Sequence, residues 1–73
     1  MWNDALVYIQ EKVPKQVFET WFTPVVLDRI EETTAYLAVP NKFFGEWLGE
    51  HYRDLLAEAV SVAQGGGHLD VSF

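Results

Sequence analysis

Few side chains in this sequence could perform acid–base, nucleophilic or metal chemistry. The chain has no cysteine, which excludes a thiol nucleophile and thiolate zinc sites. Its two histidines, His51 and His68, lack the spacing that places two metal ligands on one helix face. His51 lies close to Glu50 and Asp54, a grouping typical of a solvated helix face. We therefore predict no catalytic residue, no metal site, no cofactor in this domain and no enzymatic activity.

Acidic residues outnumber basic ones, and the cations do not form a phosphate-binding cluster. Eleven Asp and Glu against five Lys and Arg give a formal net charge of −6. Nucleic-acid binding through phosphates requires clustered cations, whereas the basic residues here are scattered along the chain: Lys12, Lys15, Arg29, Lys42 and Arg53. The charge pattern therefore predicts at most weak contact with single-stranded DNA.

Four acids recur every four residues in the second half of the chain, at Glu46, Glu50, Asp54 and Glu58. On one helix they form an acidic ridge. Such a ridge is typical of a solubilising surface, and it also fits a surface that meets a basic partner.

Two apolar positions are candidates for contact with another protein. Phe43 and Phe44 are adjacent, so on a helix their side chains diverge by about 100° and only one can follow the core stripe. Phe44 follows it, and Phe43 either anchors a partner or folds back over the edge of the core. Trp2 is in helical register with Leu6 and Ile9, which by periodicity alone predicts a core position.

The elements that must position these residues follow from changes of hydrophobic period. Apolar spacings of three and four indicate helices, and alternation indicates strands. Pro14 and Pro24 bound a short second helix, Asn41 is a good N-cap, and Gly65–Gly67 end the last helix. The predicted order is helix 2–12, helix 14–23, strand 25–30, strand 34–39, long helix 42–64 and strand 68–73.

This order, α-α-β-β-α-β, predicts an α+β fold with three helices packed on a small three-stranded sheet. The residues expected to be largely buried are Trp21, Phe44, Trp47, Leu48 and Leu55. Gly45 is unusual inside a helix, where it lowers stability by about 1 kcal/mol relative to alanine. A close approach of the sheet or of a partner would account for it.

The length sets the domain organisation. Seventy-three residues make one domain, 1–73, and 49% hydrophobic content exceeds that of disordered segments. The lack of cysteines and of a signal peptide predicts a cytoplasmic protein. Met1 at the start and a strand-like run at the end predict the N-terminal interaction domain of a longer protein.

The order of aromatic, Pro and Asn residues resembles a known family. The matching residues are Trp2-x-x-Ala-Leu, Phe18-x-x-Trp21-x-x-Pro24, Leu37-x-x-Pro40-Asn41-Lys42-Phe43-x-x-x-Trp47 and Tyr52. They are similar to the N-terminal domain of the DnaA family of bacterial replication initiators, over about residues 2–60. The resemblance implies a KH-like fold, here without the GxxG loop that clamps RNA.

The resemblance also implies functional residues and partners. Such domains are hubs that associate weakly with themselves, recruit the replicative helicase and bind regulatory proteins of initiation at the origin. Trp2, with Leu6, matches the self-association face, and Asn41, Lys42 and Phe43 match the partner-binding site, which implies that Trp2 and Phe43 are exposed. Val17 occupies a partner-binding position where the family can carry glutamate, so that part of the helicase contact is altered.

Two alternatives fit the same residues. One is a KH-like module that touches single-stranded nucleic acid weakly through exposed aromatic rings. The other is a free-standing adaptor with the same fold. Neither requires a membrane.

Overall fold

The computed structural model describes residues 1–73. Helix α1 (Trp2–Gln10) buries Ala5 and Ile9, which lie four residues apart on one face. Helix α2 (Lys15–Val17) begins directly after Pro14 and continues into one π-helical turn (Phe18–Phe22). Both helical segments fall within the predicted ranges 2–12 and 14–23.

The alternating segments form a hairpin as predicted. Strands β1 (Val26–Glu31) and β2 (Thr34–Ala38) pair antiparallel, with an irregularity in the pairing between Leu27 and Arg29. The turn between them places Glu32 at φ 53°, a conformation that non-glycine residues adopt mainly in tight turns. Ala35 and Leu37 face the core, which fixes the phase of β2.

Strand β3 (Asp70–Ser72) completes the sheet in the order β1-β2-β3 and runs parallel to β2. The amide of Asp70 donates to the carbonyl oxygen of Thr33 at 2.7 Å. The pairing with the hairpin is the predicted one, although the strand is shorter than the expected 68–73. The sheet is therefore mixed, and the α+β class is confirmed.

The predicted long helix 42–64 is wrong, because the segment forms two helices. Helix α3 (Lys42–His51) ends at Tyr52, whose φ of −134° and ψ of 16° lie outside the helical region, and α4 (Arg53–Ala63) follows. The Tyr52 ring packs edge-on against the buried Phe22, with ring centroids 5.3 Å apart. This contact fixes the bend to the core, and the protein has four helices rather than three.

The bend changes which face of α4 is buried. Leu56, Ala59 and Val60 are fully buried, whereas Leu55 is half-buried and Val62 is 54% exposed. The prediction that Leu55 is largely buried is therefore wrong, because a stripe projected from α3 does not continue in phase through a non-helical residue.

Glycines end α4 as predicted. The amides of Gly65 and Gly66 donate to the carbonyl oxygens of Val62 and Ser61, at 3.1 and 2.9 Å, and Gly65 has a φ of +98°. This is the Schellman arrangement, in which a residue with positive φ satisfies the last helical carbonyls.

One core joins the helices to a single face of the sheet. Leu48 is fully buried as predicted, while Trp21, Phe44 and Trp47 are only half-buried and correct that expectation. The apolar core consists of Ala5, Ile9, Phe22, Val25, Ala35, Leu37, Leu48, Leu56, Ala59, Val60, Leu69 and Val71. The aromatic rings expected inside it instead form its rim beside the start of α3.

Candidate functional site

The start of α3 holds the most exposed aromatic ring of the protein. Phe43, in the first turn, is 78% exposed. Neighbouring Phe44 points the other way and packs against the core, as the divergence of adjacent helical side chains requires. Of the two readings of Phe43 that the sequence left open, the structure therefore excludes the one in which the ring folds back over the core.

Asn41 fixes where α3 begins. Its side-chain Oδ1 accepts a hydrogen bond from the amide of Phe44 at 2.9 Å, which caps the helix as predicted. The side-chain amide Nδ2 makes no hydrogen bond within the chain and is exposed. Asn41 therefore combines a structural role through Oδ1 with a free donor at the surface.

Lys42 lies between these two residues and is also exposed. It takes part in none of the ion pairs of the chain, which involve Lys15, Arg29 and His68. An unpaired cation next to an exposed ring is chemically suited to a partner that offers an acceptor and an apolar side chain.

A shallow aromatic pocket adjoins Phe43. Trp21, from the π-helical turn, stacks on Trp47 of α3 with ring centroids 3.7 Å apart and planes 11° apart. The ring centroid of Phe44 lies 4.9 Å from that of Trp21. We call this the aromatic pocket; its volume is about 330 Å³, and it is lined by Trp21, Asn41, Phe43, Phe44 and Trp47.

Periodicity places Trp21 and Trp47 in the core, whereas in the structure both are half-buried and line the aromatic pocket. One signal was present, because Phe43 and Trp47 are four residues apart and must share a helix face. A Phe43 that lies off the core stripe therefore predicts that Trp47 lies beside it.

A second concavity lies on the other side of α3. This groove, of about 970 Å³, is lined in part by Gly45, Gly49, Arg53 and Phe73. A Cβ on Gly45 would lie 3.2 Å from Cβ of Phe73 and 3.3 Å from Cγ2 of Val39. The close approach of Phe73 and Val39 therefore accounts for a glycine at position 45 inside a helix. Of the two expected reasons, an approach of the sheet or of a partner, the first applies.

Arg53 holds the chain end in place. Its guanidinium donates to the carbonyl oxygen of Val71 at 2.6 Å and lies over the Phe73 ring, 5.5 Å from the centroid. This contact links the beginning of α4 to strand β3.

Val17 is less closely tied to the site. It is half-buried in α2, packs against the core and lines neither the aromatic pocket nor the groove. The structure therefore does not bring Val17 together with Asn41, Lys42 and Phe43 in one cavity.

The self-association candidates lie on α1. Leu6 is half-buried and packs against the core. Trp2 is also half-buried, and its indole Nε1 donates to the carbonyl oxygen of Val25 at 3.1 Å. Trp2 is therefore neither the core residue that periodicity predicted nor the free surface residue that the resemblance implied.

The acidic ridge is interrupted. The bend at Tyr52 separates Glu50 from Asp54, so the two halves lie on different helices. Glu58 hydrogen-bonds Tyr8 on α1 and raises the pKa of that phenol above its ordinary 10.0. Glu58 therefore takes part in the contact between α1 and α4 and is not solely a surface charge.

The remaining polar groups do not assemble into a chemical site. No three His, Cys, Asp or Glu side chains lie together as metal ligands would. Arg29 hydrogen-bonds Glu31 and Asp28, which raises the pKa of the guanidinium. No helix is long and apolar enough to cross a membrane.

Comparison with known proteins gives one consistent family. The model of the DnaA N-terminal domain matches residues 1–62. The chain is 38% identical to the chromosomal replication initiator protein DnaA of Flavobacterium psychrophilum over 61 residues, 84% of this chain and 13% of that protein. It is 37% identical over 65 residues to the DnaA of Pelobacter propionicus, covering 89% of this chain and 14% of that protein.

A third relative covers almost the whole chain. The DnaA of a Jannaschia species is 36% identical over 72 residues, 99% of this chain and 15% of that protein. The chain thus spans only 13–15% of the length of these curated relatives.

Proposed function

The chain belongs to the DnaA N-terminal domain family, and from this premise we propose that it is the protein–protein interaction hub of a chromosomal replication initiator. In this role it recruits the replicative helicase, receives regulatory proteins of initiation and associates weakly with itself. It performs no catalysis and holds no cofactor, so its function depends on the surfaces that it presents.

The observation that carries the proposal is the exposure of Phe43. A phenylalanine that is 78% exposed leaves most of its ring in water, while twelve other apolar residues of the chain are buried. Burying such a side chain releases about 1.5–3 kcal/mol, and a partner with a matching cavity gains that free energy. Phe43 is therefore suited to be the anchor of a docking contact.

The residues around Phe43 supply a polar rim. Nδ2 of Asn41 and Nζ of Lys42 are donors without partners in the chain, and both lie within two residues of the ring. An apolar anchor surrounded by polar groups is the usual composition of an energetic hot spot. We therefore propose Asn41, Lys42 and Phe43 as the main docking site for helicase and regulators.

Val17 has a smaller proposed role. Its half-buried side chain offers apolar surface but no charge, so it contributes to helicase binding by packing alone. A helicase contact that depends on a glutamate at this position is not available to this protein.

Self-association is proposed to use the α1 face with Trp2 and Leu6. Both side chains are half-buried, so each offers only part of its surface to a second copy. The area that one short helix can bury is well below the about 1,200 Å² of a stable interface, so the contact is weak.

The alternative function, weak binding of single-stranded DNA, is favoured by one observation. Phe43 and the aromatic pocket expose rings on which bases could stack. Lys42 is the only basic side chain in this patch, and the net charge is −6. A gel shift on short single strands at two salt concentrations tests it, and a strong salt-dependent shift would favour this function over docking.

The experiment that tests the hub compares two apolar truncations. Binding of the fluorescently labelled chain to the replicative helicase encoded in the same genome is measured for the parent, Phe43→Ala and Val62→Ala. Val62 is the matched control because it is also exposed and apolar but lies on α4. We expect Phe43→Ala to weaken binding by about 2 kcal/mol or more, with an unchanged thermal midpoint, and Val62→Ala to bind normally. A folded Phe43→Ala variant with parental affinity would contradict the proposal.

A further inference from the structure

Strand β2 extends beyond the part of it that pairs with β3. The pairing with β3 covers only Thr34–Tyr36, so Leu37 and Ala38 have a neighbouring strand on the β1 side alone. The backbone amide and carbonyl of the next residue, Val39, have no hydrogen-bond partner in the chain. Unpaired backbone groups of this kind are a template on which a further extended segment can pair.

The unpaired groups point towards the side of the sheet that β3 occupies. The carbonyl oxygen of Thr33 accepts a hydrogen bond from the amide of Asp70 on that side. Alternate residues of a strand direct their backbone groups to the same side, so Leu37 and Val39 point the same way as Thr33. They therefore face the line that β3 follows, beyond the point where β3 ends.

The alternation in β3 matches this line. The carbonyl oxygen of Val71 faces away from β2 and accepts a hydrogen bond from Arg53. Phe73, two residues later, points its backbone groups away from β2 as well, whereas the residue after Phe73 points them towards β2. A chain that continues β3 therefore presents its next donor and acceptor to the unpaired part of β2.

The wall of the groove formed by α3 leaves room for a backbone. Gly45 and Gly49 lie four residues apart on one helix face, and both line the groove. Phe73 already lies against them, because a Cβ on Gly45 would be 3.2 Å from its Cβ and one on Gly49 would be 3.5 Å from its Cε2. The chain thus enters the groove at Phe73.

The charges of the groove do not select a charged ligand. Its charged lining residues are two cations, Lys42 and Arg53, and two acids, Glu46 and Glu50. Opposite charges in equal number do not attract a nucleic acid or another strongly charged molecule. The groups that the groove offers without partners are those of the backbone.

We propose that in the full-length initiator the residues directly after Phe73 occupy this groove and extend β3 along β2. The relatives of this chain continue beyond the region that it matches, which is their N-terminal domain. The proposal rests on the proposed function only in treating the chain as the N-terminal part of such an initiator.

The register of the extension follows from the existing pairing, in which Ser72 lies opposite Tyr36. The first residue after Phe73 lies opposite Ala38. In a parallel pair its amide donates to the carbonyl oxygen of Leu37, and its carbonyl oxygen accepts from the amide of Val39.

The extended strand leads the rest of the initiator past the docking site. Asn41 lines both the groove and the aromatic pocket, and Lys42 also lines the groove. A segment that runs along β2 therefore emerges beside these two residues. It fixes the direction in which the following chain leaves the domain relative to Phe43.

Amide hydrogen exchange measured by NMR tests the proposal. The 73-residue chain is compared with the same chain extended by the residues that its gene encodes directly after Phe73. We expect the amide of Val39 to exchange about tenfold or more slowly in the extended chain. The amide of Asn3, which has no intrahelical partner in the first turn of α1, is the control and should not change. Equal exchange of Val39 in both chains would overturn the proposal.

Two proline variants of the extended chain test the register. A proline directly after Phe73 lacks the N–H that donates to Leu37, so it should restore fast exchange at Val39. A proline one residue later replaces an N–H that points away from β2, so Val39 should stay protected. Circular dichroism confirms that both variants are folded, and an equal effect of the two prolines contradicts the register.

The source of the added strand is tested by dilution. Protection of Val39 by the chain's own segment does not depend on concentration. Protection that falls on dilution shows that a second molecule supplies the strand, which overturns the proposal. A reading frame that stops at Phe73 overturns it as well.

Failure of this proposal and failure of the hub give different results. If Phe43→Ala keeps parental affinity for the helicase while Val39 is protected in the extended chain, the docking site fails and the strand extension stands. If Phe43→Ala weakens helicase binding and Val39 exchanges fast, the hub stands and the strand extension fails.

Discussion

The indole Nε1 of Trp2 donates a hydrogen bond to the carbonyl oxygen of Val25, so the first residue of α1 is tied to the residue that precedes β1. Twenty-three residues separate the two in sequence. The hydrogen bond joins the first helix to the edge of the sheet. A residue proposed to mediate self-association therefore also stabilises the fold.

Replacement of Trp2 separates these roles. Trp2→Phe removes the N–H donor and is expected to lower the free energy of unfolding by about 1 kcal/mol. Trp2→Ala also removes the half-buried ring and should lower it by about 2–3 kcal/mol. Urea denaturation monitored by circular dichroism measures both. Equal stability of Trp2→Ala and the parent would show that the hydrogen bond and the ring contribute nothing to the fold.

Asn41 is expected to respond differently to two substitutions. Asn41→Ala removes the cap and should lower stability by about 1 kcal/mol, whereas Asn41→Asp keeps an acceptor for the Phe44 amide and should preserve it. Asn41→Asp replaces the free Nδ2 donor, so it should weaken partner binding in a fully folded domain. Thermal unfolding and a binding titration of both variants test this, and normal binding by Asn41→Asp would exclude a donor role.

The two glycines of α3 should differ when changed to alanine. A Cβ on Gly49 would come closest to Nη2 of Arg53, at 3.0 Å, the mobile end of a long side chain that can move away. A Cβ on Gly45 would meet Phe73 and Val39 near their backbones. Because alanine is favoured over glycine in a helix by about 1 kcal/mol, Gly49→Ala should stabilise the domain and Gly45→Ala should gain less or lose. The thermal midpoints of the two variants test this prediction. A higher midpoint for Gly45→Ala than for Gly49→Ala would show that Phe73 does not restrict the side of α3 that carries Gly45.

Tyr8 should titrate at higher pH than an ordinary tyrosine. The hydrogen bond from the phenol to Glu58 favours the neutral form in the folded state, which raises the pKa above 10.0. The stabilising contribution is complete below the unfolded pKa and disappears as the pH rises through the folded pKa. Carbon-13 NMR of the Tyr8 ring measures the pKa directly.

Two acid substitutions provide the comparison for Tyr8. Glu58→Ala should return its pKa towards 10.0, because both the hydrogen bond and the repelling charge are lost. Glu46→Ala removes an acid elsewhere and should leave it unchanged. If Glu58→Ala has no effect, Glu58 does not contact the phenol in solution.

The order of elements could be read from the sequence because its signals are local. Asn41 caps α3, Gly65 ends α4, and the alternation around Ala35 and Leu37 marks β2. Each of these features depends on residues within about four positions of each other. The class of fold, the hairpin and the divergence of the Phe43 and Phe44 side chains follow from the same local rules.

Tertiary packing decided the features that local rules cannot reach. The bend at Tyr52 accompanies a contact with Phe22, thirty positions earlier, and it determines that Leu56 rather than Leu55 enters the core. Trp21 and Trp47 look like core residues in their own segments, yet they stack on each other at the rim and line the pocket beside Phe43.

The small size of the domain is the physical reason why local rules do not decide which large side chains are buried. The sequence by itself determined the order of helical and strand segments and the family, because hydrogen-bonded periodicity and capping act along the chain, but it did not reveal the break between α3 and α4. Only the tertiary structure decided which aromatic rings remain at the surface. A chain of 73 residues cannot enclose every large side chain, and which ones stay outside depends on how all the elements fit together around one core.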